Sequence, residues 1–223
     1  MKRYCFDKGT ADTAGAASAT KTERWGILSA ANGAGTHGLE DARTLQTVIE
    51  EMVAEDGASL MGLSDRKLAY LFAEQMCLGI EDARGTAEDG GCSLCLAFID
   101  RNDGHTTVVC YGTAAVLRVG RDEVTDLSPE PEGHACLVTD ADAAAKAVVL
   151  RFDLQDGEGV LIGTDALRSA LAGDRGETLR TYLKAANKAA QVEAFGATLA
   201  DIAGTESVGC ALAVYQEKNG GEA

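Results

Sequence analysis

The chain has 223 residues, 46% of them hydrophobic, with only two prolines and a formal net charge of −15. That size supports one well-buried core, and no Ser/Pro/Gly-rich linker interrupts it, so residues 1–217 read as a single domain and 218–223 as a frayed tail. The charge excludes a nucleic-acid binder, which needs clustered Lys and Arg, and works against docking on an anionic membrane; it leaves open a phosphorylated ligand, because local charge in a cleft can oppose the net charge. No apolar segment approaches the roughly 20 residues needed to span a bilayer. The opening MKRYCFDKGTAD has no apolar core of the signal-peptide kind, and the seven cysteines are odd in number and scattered, so a reducing cytoplasm is expected.

In chain order, the first strong element is Trp25 to Ala31, an apolar run closed by Asn32, Gly33, Gly35 and His37. A run of that length ended by glycines predicts a buried strand delivering a polar loop. Leu39 to Asp56 carries apolar residues at helical spacing (Leu45, Val48, Ile49, Met52, Val53), with Gly57 as the expected stop. Ser64 suits the N-cap of a second helix running to about Ala83. The period then changes. Cys92 to Ile99, Thr106 to Tyr111, Ala114 to Val119 and Val124 to Leu127 read as strands, and Asn102-Asp103-Gly104 as a hairpin turn. Cys92 and Cys95 form a C-x-x-C, but residues three apart on a strand point to opposite faces, which predicts structural thiols and no zinc or redox pair. Ala147 to Phe152 and Val160 to Gly163 read as a further antiparallel pair joined by Gln155-Asp156-Gly157. Helical patterning returns from Leu167 to Ala172 and from Glu177 to Ile202, with a break expected near Phe195-Gly196, and Val208 to Tyr215 closes as a strand. This order predicts an α+β fold: two packed antiparallel sheets flanked by helices.

Several of these segments together resemble the PP2C family of metal-dependent protein phosphatases. NGAGTHG resembles that family's Asp-Gly-x-Gly-Gly-His loop. The stretch from Gly112 to Ser128 is similar in length and apolar pattern to its Gly-Asp-Ser-Arg strand pair, GEGVLIGTDAL to the strand leading to its second Asp-Gly, and GCALAVY to the strand after its terminal Asp-Asp. The resemblance implies an α-β-β-α sandwich and phosphate-ester hydrolysis by two divalent ions, commonly Mn²⁺ or Mg²⁺, held by carboxylates.

Carried over residue by residue, the ligand set is incomplete. Asp12 keeps an acid where the family ligates metal, and Thr13 has lost the next one. Asn32 stands in place of the bridging aspartate, while Gly33 still offers its carbonyl. Asp165 keeps the carboxylate of the second Asp-Gly, followed by Ala166. Val208 and Gly209 fall on the terminal acidic pair, with Glu206 two residues upstream. Lys8 lies where a phosphate-contacting arginine is implied, and Thr113-Ala114-Ala115 replace Asp-Ser-Arg. An amide brings no charge, so it ligates a hard cation far more weakly than a carboxylate.

The residues themselves leave alternatives open. Asp165 can cap the helix that follows it, Asp12 can be a turn acid, and Asn32 a turn residue; His37 can support the loop or act as an acid–base group. His105 and His134 are expected to be exposed turn residues. At most one weakly held Mn²⁺ or Mg²⁺ is expected, at Asp12, Asn32, Gly33 and Asp165. The resulting expectation is a divergent PP2C-like domain, catalytically impaired, that acts by binding a protein or phosphoprotein. The alternative is an active Ser/Thr phosphatase with a reduced metal set.

Overall fold

The computed structural model describes residues 1–8, 15–34, 37–85, 91–130, 137–204 and 207–217. β1 (Lys2–Lys8) and β2 (Gly15–Lys21) precede β3 (Trp25–Ala34). Two long helices follow, α1 (Gly38–Met61) and α2 (Asp65–Arg84). Then come β4 (Gly91–Asp100), β5 (His105–Tyr111), β6 (Ala115–Val119), β7 (Val124–Asp126), the single turn α3 (Ala143–Lys146), β8 (Val148–Asp153) and β9 (Gly159–Gly163). The helices α4 (Asp165–Ala172), α5 (Gly176–Lys184) and α6 (Ala189–Ala203) lead to β10 (Val208–Val214).

The strands form two five-stranded sheets, ordered β1-β10-β9-β6-β7 and β2-β3-β4-β5-β8, and every described pairing is antiparallel. Alternation along each strand explains the layering. On β3, Trp25, Ile27 and Ala31 pack against Leu45, Ile49, Leu68 and Phe72 of α1 and α2, whereas Leu28 and Ala30 face the other sheet. On β10, Val208, Cys210, Leu212 and Val214 pack with Leu167, Leu179 and Phe195 of α4, α5 and α6, while Ala211, Ala213 and Tyr215 line the space between the sheets. Strands buried on both faces carry unbroken apolar runs, which is why GCALAVY and CLAFI show no polar alternation. The expected α-β-β-α sandwich is therefore the observed one. Among the described residues, no helix is long and apolar enough to cross a membrane.

Cys92 lies in the core under α1 and α2 and Cys95 in the core between the sheets, on opposite faces of β4 as the spacing required. Cys95 instead meets Cys110, directly opposite on β5, with the sulfurs 3.2 Å apart. The Asn102–Gly104 turn also forms, with the Gly104 amide donating to the Asp100 carbonyl at 2.9 Å.

Other expectations are corrected. The helix expected to stop at Gly57 does break beside it, at Asp56 (φ −139°, ψ 33°), but helical backbone resumes and runs on to Met61. Gly57 is small because the Trp25 indole lies against it, where a Cβ would come 2.5 Å from Nε1. Gly196 sits inside α6 against the Phe6 ring, and the helical break falls earlier, between α5 and α6. β8 and β9 do not pair. β8 pairs with β5 and β9 with β6 and β10, so this connection crosses from one sheet to the other, with Leu154 buried between the sheets and the Gly157 amide bound to the Tyr215 carbonyl. β1 and β2 were not expected as strands. The GAASATK run of β2 is nearly all small residues, which carry little intrinsic strand preference.

Candidate functional site

Most candidates from the sequence converge on one end of the sandwich. β3 reaches that end at Asn32 and Gly33, with Asn32 opposite Gly15 of β2 and Ser93 of β4, and Gly33 opposite Cys92. Asn32 is half-buried and continues the face of Leu28 and Ala30, so it belongs to the space between the sheets. The other sheet brings Lys8 opposite Val208, and Asp7 opposite Gly209. β9 ends beside them: the Thr164 amide donates to the Gly209 carbonyl at 2.9 Å, and the Gly209 amide donates to Thr164 Oγ1 at 3.3 Å. Asp165 follows Thr164 as the first residue of α4. Ala115, paired with Gly163, brings the Gly112–Ala115 turn to the same end.

The turn after β3 is held by two glycines in backbone contact. A Cβ on Gly33 would lie 2.2 Å from the Gly38 carbonyl carbon, and a Cβ on Gly38 would lie 2.5 Å from that of Gly33. No side chain fits at either position, so α1 starts directly against the end of its own strand. Asp41, in the first turn of α1 and 1% exposed, anchors this start: Arg84 at the end of α2 donates from Nη2 to Oδ2 at 3.0 Å, and its Nε lies 2.9 Å from Oδ1. His37 is exposed, and its ring lies 3.6 Å from Glu40 in the next helical turn.

Among the described side chains, too few carboxylates are present to hold a pair of dications. Asn32 is neutral. Asp165 is exposed, and of the candidate metal-binding residues whose side chains are described, it alone carries a carboxylate. Val208 points away into the α4–α6 core. Gly209 faces the space between the sheets but has no side chain, and a Cβ there would come 2.9 Å from the Ala16 carbonyl oxygen of β2. A side chain at Gly209 would therefore press on the backbone of β2. Ala114 and Ala115 are buried in the two cores on either side of their sheet. Cys92, opposite Gly33, faces the core under α1 and α2, and burial, with Asp41 adding to it, pushes its thiol far above the ordinary range. Among the described residues, no three His, Cys, Asp or Glu side chains gather as a metal site would require. Asp12, His134 and Glu206 lie outside the described residues, as does the 218–223 tail; Lys8 is placed by its backbone alone.

Sequence reasoning missed Thr164. It takes the N-cap position that had been open to Asp165, is 3% exposed, and ties the end of β9 to β10. A Thr directly before an Asp at a helix start was the available signal. A cleft of about 340 Å³ opens beside this end between α4 and α6, lined mainly by Ala166, Ala170, Ile202 and Ala203, with Arg175 at its edge.

No protein-family model and no curated protein sequence matches the chain. Solved structures do. RsbX in complex with magnesium superposes with a TM-score of 0.66 at 14% identity, over 95% of this chain and 94% of that one. The PPM Ser-Thr phosphatase MsPP from Mycobacterium smegmatis, in complex with cacodylate, gives 0.68 at 15% identity over 97% and 98%. The PP2C phosphatase domain, with a regulatory fragment, of the cell fate determinant SpoIIE from Bacillus subtilis gives 0.65 at 10% identity, over 97% of this chain and 65% of that one. The fold is that of the PP2C-type phosphatases.

Proposed function

We propose that this chain is a pseudophosphatase: a PP2C fold that binds a protein or a phosphorylated group without hydrolysing it. The observation that carries this reading is the neutral Asn32 beside Gly209, which brings no side chain and where a Cβ would press on the Ala16 carbonyl. Clustered dications need several carboxylates to offset their charge. Removing even outer partners of metal ligands costs about 10–100-fold in affinity or activity, and here charge is missing from ligand positions themselves. The glycine-locked turn and the Thr164–Gly209 bridge keep the architecture in place without that chemistry. The loop end then serves as a binding surface, with Lys8 as the candidate phosphate contact and a protein or phosphoprotein as the partner class. A reducing cytoplasm fits the free thiols at Cys77, Cys92, Cys95, Cys110 and Cys210.

The test measures turnover of p-nitrophenyl phosphate and of phosphopeptides with millimolar Mn²⁺ or Mg²⁺, together with Mn²⁺ binding by calorimetry on the same sample. The expected result is no turnover above the Asp165→Ala variant and, at most, one weakly held ion. Turnover that disappears in Asp165→Ala would overturn the proposal in favour of an active phosphatase with a reduced metal set.

A further inference from the structure

One corner of the opposite end of the sandwich gathers five cations, while Asp100, Asp103, Asp156 and Glu217 surround Tyr215 elsewhere at that end. β1 begins there with Lys2 and Arg3, β2 ends there at Lys21, the turn into β3 adds Arg24, and Arg101 follows β4. Lys2, Lys21 and Arg24 are exposed, and Arg3 and Arg101 half-buried. Backbone carbonyls hold several of these cations. Arg3 Nη1 donates to Ala19 at 2.7 Å, Arg101 Nη1 to Thr22 at 2.9 Å and Glu23 at 2.6 Å, and Lys2 Nζ to Asn187 at 2.8 Å. A carbonyl orients a cation without neutralising it. Among the described residues, Arg24 alone of the five has a carboxylate within ion-pair distance, Asp100 at 2.7 Å. The exposed acid inside the group is Glu23. Burial and the neighbouring Arg101 both push the Arg3 guanidinium below its ordinary value, as expected where like charges are crowded.

We propose that this basic end is a docking surface for an acidic stretch of a partner protein. Arg3 and Arg101 have guanidinium forks suited to carboxylates, and Lys2 and Lys21 add mobile point charges. The net charge of −15 selects the size of the occupant. A short acidic segment meets only the basic end, whereas a long nucleic acid or an anionic bilayer extends over surface that repels it. The surface lies at the end away from Asn32 and Asp165, so the inference stands apart from the state of the metal site: the assay below reads binding alone, and turnover decides the other question.

The probe is a fluorescein-labelled deca-glutamate peptide, titrated with the full chain and followed by anisotropy at low and physiological salt. Binding that weakens with salt is expected. The double variant Lys2→Glu/Lys21→Glu is expected to bind about tenfold more weakly. Arg66→Glu/Lys67→Glu, an equal charge change at exposed positions on α2, is expected to bind as the parent does. Amide shifts on adding the peptide to the unaltered chain are expected at residues 2–3, 19–24 and 101, and this footprint decides the matter if the double variant fails to fold. The proposal is overturned by no binding at low salt, by equal losses in both double variants, by a footprint elsewhere, or by equally tight binding of oligo-deoxythymidine or phosphatidylserine vesicles.

Discussion

The two ends of this sandwich are built on opposite plans. At the Asn32 end, backbone meets backbone: Gly33 against Gly38, and Gly209 against Ala16, with Thr164 bridging β9 to β10 and Arg84 anchoring the start of α1. At the other end, side chains reach outward from strand termini, held by carbonyls and surrounded by solvent. The first end holds a shape, and the second presents a charge.

This contrast can be broken by substitution. The largest effect is expected from Arg84→Met, which leaves Asp41 charged and buried without its partner and costs about 3–5 kcal/mol of stability, measured by urea unfolding. Gly33→Ala comes next. Its new Cβ would overlap the Gly38 backbone, which cannot swing aside as a side chain could, so a loss of about 3 kcal/mol is expected. Gly209→Asp tests both packing and function. The contact with Ala16 predicts a loss of about 1–3 kcal/mol, and phosphatase assays of Asn32→Asp/Gly209→Asp are expected to stay at background. A stable double variant with turnover would show that the site is open after all. Asp165→Ala removes a negative charge from the first turn of α4 and should cost only about 0.3–1 kcal/mol. At the basic end, Lys2→Glu/Lys21→Glu should move stability by less than about 0.5 kcal/mol per substitution, since both residues are exposed.

The buried thiols give a further signature, in the pH dependence of stability. Burial raises the thiols of Cys92 and Cys210 far above their ordinary value of 9.0. The unfolded chain releases these protons first as pH rises. Their contribution to stability is therefore complete below about pH 9 and declines as the pH climbs above it. Urea midpoints that fall from about pH 9 upward, and fall less in Cys92→Ala, are the expected result.

Much of the architecture was legible because burial on both faces leaves a plain mark. Runs such as CLAFI and GCALAVY read as strands, and the heptad-like spacing of Leu45, Ile49 and Val53 read as a helix, from composition and period alone. β1 and β2 were missed because small and charged residues carry little strand preference until a partner strand supplies the hydrogen bonds. Gly196 looked like a break because a sequence cannot distinguish a glycine that ends a helix from one that makes room for Phe6.

The sequence by itself determined the alternation of strands and helices, the polar turn at Asn32, and the loss of carboxylate at that position, since each depends on residue type and local spacing. Tertiary structure alone decided that β8 and β9 belong to different sheets, that Thr164 joins Gly209, that the Ala16 carbonyl fills the space beside Gly209, and that Lys2, Lys21 and Arg101 share one end. Those are contacts between segments far apart along the chain, set by how two twisted sheets stack and by which strand ends meet, and no local preference encodes them.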